Sequence, residues 1–203
     1  MSLEQPNYQV LYKDGDIEYR QYDSYLVSET IIENVADYKA AGNEGFRRLF
    51  RYITGGNQGR AKIAMTKPVA QVPASEKIAM TVPVQQTGSD TGWRIAFMLP
   101  SQYTLESAPA PTDPRVQIRE VPGRLMAVLR YSGRWTERNF SKKQAALLDS
   151  VLGQSVNPVG DIQTALYDPP YMPPFLRRNE IMIEVDRLPS GAGVPVERQA
   201  AAY

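Results

Sequence analysis

Two aromatic and two basic side chains in one predicted helix are the residues best suited to chemistry: Phe46, Arg47, Phe50 and Arg51. At about 100° per residue they point to one shoulder of the helix, outside its apolar stripe. Phenylalanine rings stack on flat apolar molecules, and guanidinium groups pair with carboxylates. The spacing therefore predicts an aromatic surface with basic edges, although Phe50 packed beneath a following loop remains an alternative.

The 203 residues include no cysteine and no histidine. Thiolate nucleophiles, serine–histidine triads and histidine metal sites are therefore excluded within one chain. A haem iron could take only methionine, tyrosine or an exogenous group as its axial ligand. Carboxylates such as Glu44, Glu106, Asp168 and Glu180 show no paired spacing, so we expect binding and not catalysis.

The overall composition is that of an ordinary globular protein, with 42% hydrophobic residues and a formal net charge of +1. This charge argues against a nucleic-acid partner. We expect no membrane span because no run approaches about 20 apolar residues. No signal peptide is visible, so the expected location is cytoplasmic by default, a removed native leader remaining open, and the expected state is a monomer.

The first half of the chain predicts three strands and a helix. Runs at 8–12 and 17–22 flank an Asp-Gly turn, which is typical of a hairpin, and a third strand covers 25–33. A helix begins after the N-cap Asp37 and continues to about Ile53. Its predicted core face consists of Tyr38, Ala41, Gly45, Leu49 and Ile53.

Two nearly identical words, KIAMTKPV at 62–69 and KIAMTVPV at 77–84, alternate in polarity and predict two strands. A strand at 93–99 follows. The spacing of 15 residues between the words is too short for a solenoid repeat.

The second half repeats the strand–helix–strand pattern after a proline-rich connector at 107–114. Strands are predicted at 116–121, 125–131 and 179–185, and a helix runs from the N-cap Thr136 to Gly153. We therefore predict an α+β fold, a distorted open β-barrel of mostly antiparallel strands built from two pseudo-symmetric halves with one long helix each. The expected single domain spans 8–187, with halves of about 8–106 and 115–187, between an N-terminal extension (1–7, in part vector-derived) and a flexible tail (188–203).

The words of this sequence resemble those of the SOUL/haem-binding protein family. The resemblance is carried by GNEGFRRLFRYI at 42–53, the doubled KIAMT word, VLRYSGRW at 128–135 and YDPPYMPPFLRRNE at 167–180. It implies the open barrel described above, an architecture similar to that of gyrase-inhibitory proteins and drug-sensing regulators. It also implies a shallow groove for haem or another tetrapyrrole.

The resemblance places the walls of this groove on the first helix and on the loop before the last strand. The implied binding residues are Phe46, Arg47, Phe50, Arg51, Tyr171, Met172 and Phe175. Asn43 and Pro173 stand where relatives carry basic residues, and no residue matches an axial histidine, so the expected binding does without histidine ligation. The alternative is a cleft for another small molecule or a protein, with residues 177–180 either contacting that ligand or forming ion pairs within the fold.

Overall fold

The architecture is one nine-stranded antiparallel sheet with two long helices, within residues 4–35, 37–73, 92–169 and 171–192, which the computed structural model describes. The elements, in chain order, are β1 (Tyr8–Asp14), β2 (Ile17–Tyr22), β3 (Tyr25–Glu33), α1 (Tyr38–Ile53), β4 (Val69–Pro73), β5 (Gly92–Met98), β6 (Val116–Val121), β7 (Arg124–Tyr131), α2 (Glu137–Gly153), β8 (Gln163–Leu166) and β9 (Asn179–Glu184). The prediction of an α+β open barrel is confirmed.

The order of strands reveals an internal twofold arrangement. Across the sheet it reads β1-β2-β7-β9-β8-β4-β5-β3-β6. The series β2-β7-β9-β8 and the series β6-β3-β5-β4 therefore meet at the β8–β4 pair as two equivalent halves. Each half of the sheet contains one strand from the other half of the sequence. The N-terminal strand β2 pairs with β7, and the C-terminal strand β6 pairs with β3.

Helix α1 begins and packs as its sequence predicts. The Asp37 carboxylate accepts a hydrogen bond from the Ala40 backbone N–H at 2.6 Å, which satisfies a donor of the first turn. The apolar stripe is buried against β3 and β5. Gly45 is required for this close approach, because a Cβ there would lie 2.7 Å from the Ile95 side chain.

Helix α2 follows the same rules in the second half. The Thr136 hydroxyl accepts a hydrogen bond from the Asn139 N–H, and the helix ends at Gly153. Leu147 and Val151 are fully buried against β7 and β9. Because both helices lie on one face of the sheet, the other face forms the concave side of the open barrel.

Strand alternation gives each face its own core. The helix-side clusters are centred on Leu49 and Ile95 beneath α1, and on Leu147 and Ile181 beneath α2. The concave side carries two smaller clusters. One contains Tyr22, Met126, Val128, Ala165, Tyr167 and Met182, and the other contains Val27, Ala96 and Val121.

Two local predictions need correction. Residues 61–68 are not a strand, and pairing in this region begins at Val69. Ile63 and Thr66 are buried in this segment, and the Thr66 hydroxyl bonds the Met98 carbonyl, but a spacing of three residues is not that of one face of a strand. Strand β8 was not predicted. The second KIAMT word lies outside the described residues.

Two further observations concern the ends of the fold and the membrane. Leu188, at the start of the predicted tail, packs against the core beneath α2. No helix in the described part of the chain is long and apolar enough to cross a membrane.

Candidate functional site

A pair of stacked phenylalanine rings lies on the outer shoulder of α1. Phe46 is 38% exposed and Phe50 is 45% exposed, although both are large apolar residues. Their ring centroids are 5.8 Å apart and their planes differ by 12°. Phe46 also meets the buried ring of Phe97 on β5 edge-on, at 5.2 Å between centroids. The pair is therefore anchored in the core on one side and open to solvent on the other.

Two exposed arginines flank the rings on the same helix. The Arg47 Nε donates a hydrogen bond of 3.4 Å to the Asn43 carbonyl, and neither Arg47 nor Arg51 forms an ion pair with any described residue. The neighbouring Arg48 differs, since it bonds the Glu44 carboxylate at 2.7 Å. Arg47 and Arg51 are consequently the two guanidinium groups of this helix that are available to an anionic group.

The segment before β9 presents a second apolar surface. Tyr171 is 87% exposed and Phe175 is 73% exposed, whereas Met172 is half-buried. A short 3₁₀ turn, Pro174–Leu176, shapes the segment. Phe175 and Leu176 line an open cavity of about 490 Å³ next to β7.

This segment is anchored to the turn between β7 and α2. The Gly133 N–H donates to the Pro174 carbonyl at 2.9 Å. The Arg177 guanidinium lies 4.6 Å from the centre of the Trp135 ring, and its Nε bonds the Met172 carbonyl at 2.8 Å. The exposed rings of the segment therefore sit on a well-connected base.

The predicted residues lie in two groups. Phe46, Arg47, Phe50 and Arg51 share the surface of α1, and Tyr171, Met172 and Phe175 share the segment before β9. Among the described residues, no hydrogen bond or ring contact joins the two groups. The helices themselves touch where Tyr38 of α1 stacks on Phe140 of α2, with centroids 5.7 Å apart.

The basic–acidic run at 177–180 serves the fold through Glu180. This carboxylate is completely buried and accepts hydrogen bonds from both terminal nitrogens of Arg20, from the Tyr167 hydroxyl at 2.8 Å, and from Arg178 at 2.8 and 3.1 Å. Burial alone would raise the pKa of Glu180, but the charges and hydrogen bonds of Arg20 and Arg178 lower it below its usual value. Residues 177–180 were expected either to contact the ligand or to form ion pairs within the fold. For Arg178 and Glu180 the structure shows the ion pair.

Trp135, named in the sequence analysis only within the resemblance, and Asn179, the first residue of the predicted last strand, have defined roles here. The Trp135 Nε1–H donates to the Asn179 side-chain oxygen at 2.7 Å, and the Asn179 amide donates to the Gly133 carbonyl. Trp135 and Asn179 are 44 residues apart in the chain, so the sequence alone does not indicate this hydrogen bond. The described residues contain no group of three or more carboxylates that could hold a metal ion.

Comparisons with known proteins found sequence relatives and solved structures of similar fold. A family model described as "SOUL heme-binding protein" matches residues 3–184. "Heme-binding protein 1" of Xenopus laevis is 30% identical over 171 residues, which cover 83% of this chain and 84% of the relative. Its Mus musculus counterpart is 27% identical over 141 residues, 69% of each chain.

Among solved structures, the EcmrR C-terminal domain superimposes with a TM-score of 0.59 at 8% identity, covering 85% of this chain and 98% of that domain. A protein from Listeria innocua named as a hydrolase gives a TM-score of 0.53 at 10% identity, covering 84% and 91%. At such identities the likeness concerns the fold alone.

Proposed function

This chain belongs to the SOUL heme-binding protein family, and on that premise we propose that it binds haem or a related tetrapyrrole without catalysing a reaction. Family membership supports tetrapyrrole binding in general. The finer proposal is that the ligand lies in a shallow groove on the outer shoulder of α1, without histidine ligation. The observation that carries it is the exposed, nearly parallel stack of Phe46 and Phe50 between two arginines that pair with no described carboxylate.

The residues fit the two chemical parts of a haem. A macrocycle needs a flat apolar surface, which the two rings offer, and its propionates need cations, which Arg47 and Arg51 supply. Covering one macrocycle face removes on the order of 200 Å² of apolar surface, worth about 5 kcal/mol at about 25 cal/mol/Å² before the entropy of association. Exposed arginine–propionate pairs add about 0–1 kcal/mol each.

We further propose that the iron forms no bond to a protein side chain. The chain has no histidine or cysteine, so the commonest axial ligands are missing. Affinity then derives from stacking and from the propionates. Haemin and iron-free protoporphyrin are expected to bind with similar, micromolar dissociation constants.

The segment carrying Tyr171, Met172 and Phe175 is proposed as the second wall of the groove. Its exposed rings offer further apolar surface of the kind a porphyrin requires. Substitution of Tyr171 or Phe175 by alanine is expected to weaken haemin binding severalfold. Unchanged affinity in both variants would restrict the site to α1.

The decisive experiment is a fluorescence and absorbance titration with haemin and protoporphyrin. Phe50→Asp and Arg51→Glu are compared with matched variants of α2, Leu152→Asp and Arg138→Glu, whose side chains are also exposed. We expect the α1 variants to lose at least tenfold in affinity and the α2 variants to match the wild type. Equal affinity in all four, or no binding of either porphyrin, would contradict the proposal. A far tighter haemin complex with a low-spin spectrum would contradict the absence of iron ligation.

A further inference from the structure

The concave face of the sheet, opposite both helices, contains a cavity of about 250 Å³ that the proposed groove does not use. Its apolar lining includes the small side chains of Val27, Ala70, Ala96 and Val121, from four adjacent strands. At about 30 Å³ per water molecule, the volume corresponds to about eight waters. The space is therefore large enough for a small organic molecule.

The cavity exists because the two halves fill their concave faces differently. In the half formed by β2, β7, β9 and β8, bulky residues such as Tyr22, Met126, Tyr167 and Met182 pack into one cluster. In the half formed by β6, β3, β5 and β4, the corresponding surface carries mainly alanines and valines, with Tyr25 and Met98 beside them. The backbones of the two halves are thus arranged alike, whereas the side chains on their concave faces differ in volume.

The charges of the two halves differ in the same way. Each half places one buried glutamate near two arginines. In the filled half, Glu180 is hydrogen-bonded by both of its arginines. In the open half, Arg119 holds one oxygen of Glu29 at 2.8 and 3.1 Å, but the Arg94 Nε lies 4.0 Å from the other oxygen.

Arg94 consequently makes no hydrogen bond to any described residue. Its Nε is buried and makes no hydrogen bond, and none of its guanidinium nitrogens bonds a described residue. A buried donor of this kind is rare, because leaving it unpaired forfeits its interaction with water. Its side chain lines the cavity together with the apolar residues named above.

Among the described residues, the other charged groups of the lining are three carboxylates and two arginines. Glu29 is paired with Arg119, and Glu184 with Arg124 at 3.5 Å. Asp161 also lines the cavity. Arg94 and Arg119 flank Glu29, so both would repel a cationic ligand at this carboxylate, whereas the Arg94 Nε offers a donor to an anion.

We propose that this cavity is a second binding site, which takes a small apolar monocarboxylate whose carboxylate bonds the Arg94 guanidinium and whose hydrocarbon part covers Ala70, Ala96 and Val121. The apolar floor selects against inorganic anions, and the volume selects against large amphiphiles. Haem is excluded by size. The site is independent of the groove on α1, because it lies on the opposite face of the sheet.

Titration calorimetry and methyl NMR with octanoate, octanol and octylammonium test this proposal on the full chain. We expect octanoate to bind most tightly and to shift the methyl resonances of Val27, Ala70 and Ala96. Arg94→Gln is expected to weaken octanoate binding tenfold or more, because the variant loses the charged donor that bonds the carboxylate. Arg138→Glu on α2 is the control that keeps octanoate affinity unchanged.

Several outcomes would overturn the proposal. These are equal octanoate affinity in wild type and Arg94→Gln, tighter binding of octylammonium than of octanoate, or no methyl shifts at millimolar octanoate. The methyl shifts are measured on the wild type, so they remain decisive if Arg94→Gln does not fold. Haemin titration of Arg94→Gln separates the two sites, because loss of octanoate binding with unchanged haemin affinity leaves the proposed function intact.

Discussion

Replacing Glu180 by glutamine should cost about 4 kcal/mol of the free energy of unfolding. The carboxylate is fully buried and receives five hydrogen bonds, four from Arg20 and Arg178 and one from Tyr167. Glutamine removes the negative charge between two guanidinium groups, and its NH₂ then faces donors. Removing one partner of a buried ion pair typically destabilises a protein by about 3–5 kcal/mol.

The assay is urea and thermal unfolding followed by circular dichroism. For a domain of about 150–250 residues, about 1 kcal/mol shifts the melting temperature by about 2–4 °C, so Glu180→Gln should melt about 8–16 °C lower. Glu184→Gln is a matched control two residues along β9. Its side chain is 31% exposed and pairs with Arg124 at 3.5 Å, and such a pair contributes about 0–1 kcal/mol.

A Glu180→Gln variant within 1 kcal/mol of the wild type would refute this reasoning, since it would mean that the charges of Arg20 and Arg178 are satisfied in another way. Below its melting temperature the variant should bind haemin with unchanged affinity. A large loss of haemin affinity without loss of stability would instead assign the 177–180 run to the ligand.

Two further predictions follow from the same packing. The pKa of Glu180 is lower in the folded state than in the unfolded state, so the stability that this carboxylate contributes is present above the unfolded pKa of about 4.3 and is lost as the pH falls through the folded value. The stability difference between wild type and Glu180→Gln should therefore shrink below about pH 4. A constant difference from pH 7 to pH 3 in urea unfolding would contradict this. Gly45→Ala should destabilise the protein by about 1–3 kcal/mol despite the better helix propensity of alanine, because the added Cβ would lie 2.7 Å from Ile95. The control is Gly153→Ala, which has open space around it and should be neutral or stabilising in thermal unfolding.

The helices could be predicted closely because their signals are local. Asp37 and Thr136 act through the backbone donors of the next turn, and the spacing of Leu147 and Val151 specifies the buried side of α2. The same periodicity predicts that Phe46 and Phe50 lie outside the core stripe, and both rings are exposed. Seven of the nine described strands likewise lie at predicted β-prone runs bounded by turn residues, β4 and β8 being the exceptions.

Long-range pairing was beyond a reading of the sequence. The exchange of β2 and β6 between halves depends on which strand edges meet, and nothing in residues 17–22 or 116–121 specifies that. The segment at 61–68 has alternating residue types, but its buried side chains, Ile63 and Thr66, are three residues apart, and its backbone forms no ladder with a described strand. Alternating residue types therefore do not by themselves specify a strand.

Strand β5 connects the two proposed sites and explains why they can be tested separately. On its helix side, Ile95 lies against Gly45 and Phe97 supports Phe46, so this side holds α1 and its exposed rings in place. On its concave side, Arg94 and Ala96 line the cavity. Successive side chains of a strand point to opposite faces, so a change at position 94 removes a cation from the cavity without touching the support of the rings. Any coupling between porphyrin and carboxylate binding would therefore require a displacement of β5 itself, which its pairing with β3 and β4 along its length opposes.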